Sequence, residues 1–325
     1  MAGLGDLGWR VAHRGLDATF PRPTPQALGQ ARSVLEDCPD GATVVVDGLA
    51  YGAMPGLARA EGGRLRLVAL VHHPLAEEVG LPAAEAEALR RSEAWALAEA
   101  RVVVATSRAT AGLLAGYDVA ERRLRVVEPG TDPAPAAAGA RGGPPRLLCV
   151  GALVPRKGHD LLLRALARVA DLPWHLDCVG DPDRDPGWSS GLVRLRDTLG
   201  LAGRVAFAGA LPDREVERAY AAADLFVLAT RFEGYGMVLG EALAHGLPVL
   251  ATRTGAAGQT VPPAAGVLVE PGDADAFAAA LRALLGDEGR RWRLAAGSRA
   301  AARRLPTWPE AAAAFAAACE EAGRG

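Results

Sequence analysis

The chain alternates short apolar runs with longer amphipathic ones. Thr43-Val44-Val45-Val46-Asp47, Leu65 to Val71, Arg101 to Ala105 and Leu124 to Val127 are β-branched or aliphatic stretches bounded by turn residues. Near-continuous apolar runs of this length suit strands buried on both faces. Gly8-Trp9-Arg10-Val11-Ala12-His13 predicts a further short strand. Between the runs, Tyr51 to Ala60, Ala83 to Ala100 and Ser107 to Leu114 predict helices, with Ser107 as an N-cap. Gln26 to Leu35 predicts another, with Ala27, Ala31, Val34 and Leu35 on one face. Strand and helix in alternation imply a parallel α/β sheet.

Pro129 to Pro145 interrupts the pattern with proline, glycine and alanine, and predicts an interdomain linker. A second alternation follows. Strands are expected at 146–150, 175–179, 204–208, 225–229, 248–251 and 266–269, and helices at 160–170, 192–199, 213–222, 238–245 and 274–285. Arg290–Arg304 and Pro309–Ala322 are helical with no strand after them. The expected domains are 1–135 and 146–305, with 306–325 as a C-terminal helix packing back toward the first. Open sheets of this kind bind ligands beyond the carboxyl ends of their strands.

Composition narrows the possibilities. The 325 residues are 50% hydrophobic and 23% charged, as in a globular protein. A net charge of -2 gives no general attraction to nucleic acid or anionic membranes. No apolar run reaches membrane-spanning length, and residues 1–20 lack the apolar core of a signal peptide. Cys38, Cys149, Cys178 and Cys319 are scattered, which fits reduced thiols in a cytoplasmic protein and offers no metal-ligand spacing.

Candidate chemistry sits at three loops. Glu233-Gly234-Tyr235-Gly236-Met237 joins an apolar strand to a helix beginning near Val238, and Glu241 falls in that helix. Such a loop directs free N–H groups at an anion, and its two carboxylates accept hydroxyl protons. Glu241 is equally explained by the helix dipole, which does not account for Glu233. The loop after the second domain's first strand, Gly151-Ala152-Leu153-Val154-Pro155-Arg156-Lys157-Gly158, carries two cations. Alone it reads as a solvated basic turn; at a sheet edge equivalent to that of the Glu233 loop it reads as a diphosphate site. His72-His73-Pro74 ends a strand, where a histidine can serve proton transfer or simply occupy a turn. His245 needs no role beyond a helix C-terminus.

These pieces, in this order, resemble the retaining glycosyltransferases of family four. They are Val150-Gly151, Arg156-Lys157-Gly158-His159-Asp160, the run Ala221 to Leu228, Glu233-Gly234-Tyr235-Gly236 with Glu241, Gly246-Leu247-Pro248-Val249, and Leu268 to Asp273. The spacing of Glu233 and Glu241 matches the family's Glu-x7-Glu motif. The resemblance covers 146–305 well and the first half loosely. It implies a GT-B fold, two Rossmann-like domains facing across a cleft, the first incomplete. The first domain would take the acceptor and the second the nucleotide-diphosphate sugar. Lys157 and Arg156 would bind the diphosphate, Glu233 the sugar hydroxyls, the amides of Gly234, Tyr235, Gly236 and Met237 the sugar and phosphate, and Glu241 the ribose. Gly151 belongs to the same donor site. His72, or failing it His73, would match the family's histidine, making His72, Lys157 and Glu233 the catalytic set. No cofactor or bound metal is implied, the acceptor is unspecified among small molecules, lipids and glycans, and no sequence feature supports membrane contact.

Two departures from the family follow. Ala152 stands where members often carry arginine, a loss Arg156 is expected to cover. The family's first strand and glycine-rich loop have no counterpart before Gly8, and Gly8–His13 resembles its second strand. That shortened start makes a non-catalytic nucleotide-sugar binder the alternative to a transferase.

Overall fold

The structure, a computed structural model, describes residues 2–140 and 142–324. It divides into two compact units, Met1–Gly130 with Pro306–Gly325, and Thr131–Leu305.

The first unit runs α1 (Ala2–Asp6), α2 (Pro25–Glu36), β1 (Thr43–Asp47), α3 (Gly48–Tyr51), α4 (Pro55–Glu61), β2 (Arg66–Val71), α5 (Ala83–Ala98), β3 (Val102–Ala105), α6 (Arg108–Leu114) and β4 (Leu124–Val126). Its strands lie parallel in the order β1-β2-β3-β4. Alternation along β2 explains why the whole run is apolar. Leu67, Ala69 and Val71 join Ala31, Leu57 and Leu97 in one buried cluster. Val68 joins Val102 and Val104 in another, on the opposite face. Full burial of each larger aliphatic side chain contributes about 1.5–3 kcal/mol.

The second unit contains β5 (Arg146–Val150), α7 (His159–Ala167), β6 (His175–Val179), α8 (Pro186–Thr198), β7 (Val205–Gly209), α9 (Asp213–Ala222) and β8 (Leu225–Leu228). It continues with α10 (Met237–Ala244), β9 (Val249–Thr252), α11 (Ala257–Thr260), β10 (Gly266–Val269), α12 (Ala274–Gly286) and α13 (Glu288–Ala302). The strands are parallel in the order β10-β9-β8-β5-β6-β7. The chain order reverses between β5 and β8. The loops leaving those two strands therefore diverge to opposite faces and open a crevice at the sheet's carboxyl edge. The last helix, α14 (Trp308–Arg324), belongs to the first unit, where its Ala318 and Ala322 cover Val68, Val102 and Val104.

Three expectations need correction. Gly8–His13 is not a strand. Gly8 turns at φ 85°, Trp9 donates back to Leu4, and Val11 is 45% exposed, so nothing buries an apolar face there. The segment Tyr51–Ala60 is two helices, because Gly52 caps α3 and Pro55 starts α4. The stretch 131–140 is less a free linker than a strap on the second unit. Ala137 N donates to His245 O at 2.8 Å, Ala138 N to Ala221 O at 2.9 Å, and Ala140 N to Asp224 Oδ1 at 3.1 Å.

Candidate active site

The two loops at the switch point of the second sheet are tied into one structure. After β5 the chain passes through a 3-10 turn, Pro155–Lys157, before α7 begins. After β8 it runs through Thr230 to Gly236 into α10. Arg231 N donates to Arg156 O at 2.7 Å and Thr230 Oγ1 to the same oxygen at 3.0 Å. Arg156 Nη1 donates to Phe232 O at 3.3 Å. The third loop of the edge, after β9, joins them through Ala256 N, which donates to Glu233 O at 3.0 Å. Gly255 permits that approach: at φ 51°, a Cβ there would lie 1.7 Å from the Glu233 carbonyl oxygen.

This brings Lys157 and Glu233 together. Lys157 Nζ lies 2.7 Å from Glu233 Oε2, with the side chains 12% and 9% exposed. A pair so sheltered is held by desolvated Coulomb attraction and fixed by its surroundings. An ammonium has three N–H groups and Glu233 takes one direction, so the cation retains donors for a second anion. Three residues after Glu233, Gly236 adopts φ 83° as the N-cap of α10 with no side-chain cap bond. The helix thus begins without a side chain covering its first amides, an arrangement suited to an anion. Gly234 and Tyr235 are buried in this loop, while Met237 is 43% exposed. Gly151 lies against the Lys157 stem, where a Cβ would sit 3.3 Å from Lys157 Cδ.

Arg231 is a member that sequence reasoning missed. Its Nη2 meets both oxygens of Asp160 at 2.9 Å, and Nη1 donates to Pro155 O. Burial pushes the Asp160 carboxyl up, and the hydrogen bonds of Arg231 and Arg164 outweigh it, holding the group below its ordinary value. Arg231 therefore braces the cationic turn rather than offering a free charge. An arginine three residues beyond an apolar strand was the available signal.

Glu241 sits one turn into α10, apart from the Lys157–Glu233 pair. Tyr220 OH donates to its Oε2 at 2.8 Å. Burial raises the Glu241 carboxyl, Tyr220 opposes this, and Glu217 adds to the rise. Tyr220 is itself fixed by stacking on His245, with ring centroids 4.9 Å apart and planes 6° apart. His245 is no exposed helix end: it is 2% exposed, its Nδ1 is 3.1 Å from Pro135 O, and its Nε2 is 3.1 Å from Glu217 Oε2. Both neighbours offer acceptor oxygens, so the ring N–H has a partner on either side.

His72 belongs to the first unit, just beyond the carboxyl end of β2. Its Nε2 lies 3.3 Å from Oδ2 of Asp47, the last residue of the adjacent β1. The hydrogen bond to His72 holds Asp47 below the usual carboxylate range; burial opposes it. Parallel β1 and β2 end side by side, with Asp47 opposite Leu70, which makes the pairing a consequence of register. Asp47 was legible only as a strand terminus. His72 is more than half exposed, whereas His73 is 19% exposed and lies 3.8 Å from Glu78 Oε2.

Two parallel α/β units, the second with a cation–carboxylate pair and an uncapped helix at its switch point, define a Rossmann-like protein of the GT-B architecture. The model of group 1 glycosyl transferases matches residues 144–287, and that of glycosyltransferase family 4 matches 8–135. The GDP-mannose-dependent alpha-(1-6)-phosphatidylinositol monomannoside mannosyltransferase of Mycolicibacterium smegmatis is 34% identical over 323 residues, covering 88% of this chain and 80% of that protein. A D-inositol 3-phosphate glycosyltransferase of Xylanimonas cellulosilytica is 34% identical over 269 residues, covering 78% of this chain and 62% of that one. Among solved structures, sucrose-phosphate synthase from Thermosynechococcus elongatus superposes with a TM-score of 0.78 at 24% identity, covering 90% of this chain and 77% of that one. Anabaena HepE, solved with UDP-glucose, gives a TM-score of 0.73 at 21% identity, covering 92% and 83%. The chain belongs to the family-four glycosyltransferases and is a transferase enzyme. No helix among the described residues is long and apolar enough to cross a membrane.

Proposed function

We propose that the chain transfers a sugar from a nucleotide-diphosphate sugar to a hydroxyl acceptor with retention of anomeric configuration. The observation that carries this is the Lys157–Glu233 pair, 2.7 Å apart and sheltered beside the start of α10. The bond between the anomeric carbon and the phosphate oxygen breaks, and its electron pair leaves with the diphosphate. Negative charge grows on that oxygen, and Lys157 and Arg156 are the fixed cations assigned to meet it. Charge prepositioned in this way lowers the barrier without reorganisation during the reaction. Glu233 accepts from the sugar hydroxyls and keeps the ammonium in place. The amides of Gly234, Tyr235, Gly236 and Met237 face the sugar and phosphate, Gly151 gives the donor backbone room, and Glu241 accepts from the ribose. The acceptor oxygen bonds to the same face of the sugar, and its proton passes to the departing phosphate. His72, oriented by Asp47, is assigned to the acceptor side.

The names of the relatives supply the first compounds to try. GDP-mannose and UDP-glucose, each with inositol 3-phosphate or a phosphatidylinositol mannoside, are to be assayed for nucleoside diphosphate release and for the anomeric configuration of the product. Binding of a nucleotide sugar raises the melting temperature of the folded chain. Inverted product would overturn retention. A panel of nucleotide sugars that neither stabilises the chain nor turns over would overturn the whole reading.

A further inference from the structure

The first unit buries a carboxyl group with no cation directly on it. Glu93, on α5, is 0% exposed. Its Oε2 accepts the Leu75 N–H at 2.8 Å, and its Oε1 has no hydrogen-bond partner among the described residues. Leu75 opens the 3-10 turn Leu75–Glu77, directly after His72-His73-Pro74. Gly52 closes over this contact: a Cβ there would lie 2.8 Å from Leu75 Cδ1 and 3.0 Å from Glu93 Cγ. Ser92, next to Glu93, holds Gly52 by donating to its carbonyl at 2.7 Å. One turn earlier on α5, Arg90 Nη2 meets Glu77 Oε1 at 2.6 Å. The helix therefore grips the turn twice, by an amide at its start and a carboxylate at its end.

We infer that Glu93 is a positioning residue for transfer: its carboxyl group holds the Leu75 amide and thereby sets the backbone of the His72-His73-Pro74 turn. This rests on the assignment of His72 to the transfer reaction. A packing role alone would be met by any side chain of that size. An acceptor aimed at one backbone N–H, with its second oxygen left without a partner in the interior, is a costly way to fill space.

The charge state supports the same role. Burial pushes the Glu93 carboxyl up to about 8, against the Leu75 amide and Arg90, while Glu77 adds to the rise. The groups that act on it are Arg90 on its own helix and Glu77 in the turn, and it in turn acts on Tyr117 after α6, whose ring lies 4.8 Å from the Arg90 guanidinium carbon. Tyr51 on α3 is raised by its own burial, with Glu99 adding to the rise and Arg123 opposing it. Arg90 is engaged by Glu77, so burial favours the uncharged form of Glu93, which still offers the Leu75 amide a carbonyl oxygen. Because its folded value lies above the unfolded 4.5, the stability it contributes is complete below about 4.5 and is lost as pH rises to about 8.

The test compares wild type with E93Q, which keeps a carbonyl for Leu75, and E93L, which keeps bulk without an acceptor. The Leu75 amide proton, followed by NMR, should titrate with a midpoint near 8 in wild type and stay flat in E93Q. In E93L that amide should exchange at least about tenfold faster. Turnover should fall about tenfold in E93L while donor KM moves less than about twofold, and E93Q should restore it. A Leu75 amide that does not titrate, or a folded E93L with unchanged turnover, would overturn the inference. If E93L does not fold, the comparison of wild type with E93Q still decides. H72A with full turnover would defeat the assignment of His72 instead, and the Leu75 titration tells the two failures apart.

Discussion

The loops around Lys157 in the second unit and the histidine turn of the first hold the groups assigned to transfer in different ways. Around Lys157 the working groups are sheltered and cross-tied. Three loops share carbonyls, and the Lys157 ammonium and Glu233 carboxylate are each other's partners. At His72 the imidazole is exposed, Asp47 beside it is exposed too, and the rigidity lies one layer below, in Glu93 and Arg90. A buried charge must be paired before the ligand arrives, whereas an exposed imidazole needs only a fixed backbone beneath it. The first site should therefore respond to mutation in both stability and turnover, and the second mainly in turnover.

The sharpest way to break this contrast is at Lys157. K157A removes the charge assigned to the leaving diphosphate and strands Glu233. Transfer should fall by about 10²–10³, the size seen when one preorganised donor is lost. Stability should fall by about 3 kcal/mol, because a sheltered carboxylate loses its partner. The double variant K157A/E233A should recover part of the stability and none of the activity. If the double variant is no more stable than K157A in urea denaturation, the pair is not a coupled unit.

Arg231 comes next. R231A withdraws two bonds from Asp160 and one from Pro155 O, leaving Asp160 with Arg164. The expected loss is about 2 kcal/mol of stability. Turnover should fall about tenfold, through displacement of the cationic turn. Since Asp160 is held below its unfolded value of 3.8, its contribution is present above that pH and fades as pH falls through the folded value. R231A should flatten that acid limb. An unchanged limb would remove Arg231 as the brace.

Why Lys157 and Glu233 were legible while Arg231, Tyr220 and Asp47 were not follows from how each is recruited. Lys157 and Glu233 lie in loops whose glycines and position after apolar runs mark them locally. The alternation of strand and helix was legible for the same reason, since burial on two faces writes continuous apolar runs. Tyr220 reaches Glu241 from α9 to α10, and Asp47 reaches His72 across paired strands; both partnerships need the tertiary arrangement, which no local pattern carries. His245 reads as an ordinary helix end until the 131–140 strap is seen to cover it. Gly8–His13 shows the reverse error: the period was strand-like, and no neighbour buries it.

The exposed site is tested more gently. D47N keeps the shape and removes the charge that His72 Nε2 faces at 3.3 Å. Turnover should fall about threefold to tenfold, the scale of a weakened orienting bond, with donor KM unchanged. The stability effect at pH 7 should be small, because the pair is solvated. Asp47 is held below 3.8 by His72, so wild type should lose a small increment as pH falls below that value, and D47N should not. A donor KM that rises with D47N would place Asp47 on the donor side and undo the separation of the two regions.

The smallest effect belongs to Tyr220, at the far edge of the sheltered region. Y220F deletes one hydroxyl and leaves the ring stacked on His245, so packing is conserved. Glu241 then loses the bond that opposes its burial, and its carboxyl should rise further. If Glu241 accepts from the ribose as a carboxylate, nucleotide affinity should drop about threefold to fivefold, about 1 kcal/mol, and the loss should shrink as pH rises and Glu241 ionises. The control is a sugar phosphate without nucleotide, whose binding Y220F should leave alone. Isothermal titration with both ligands at two pH values separates the cases. Equal losses for both ligands would mean that Tyr220 shapes the start of α10 as a whole, and that Glu241 and Glu233 act as one site instead of two halves held by different braces.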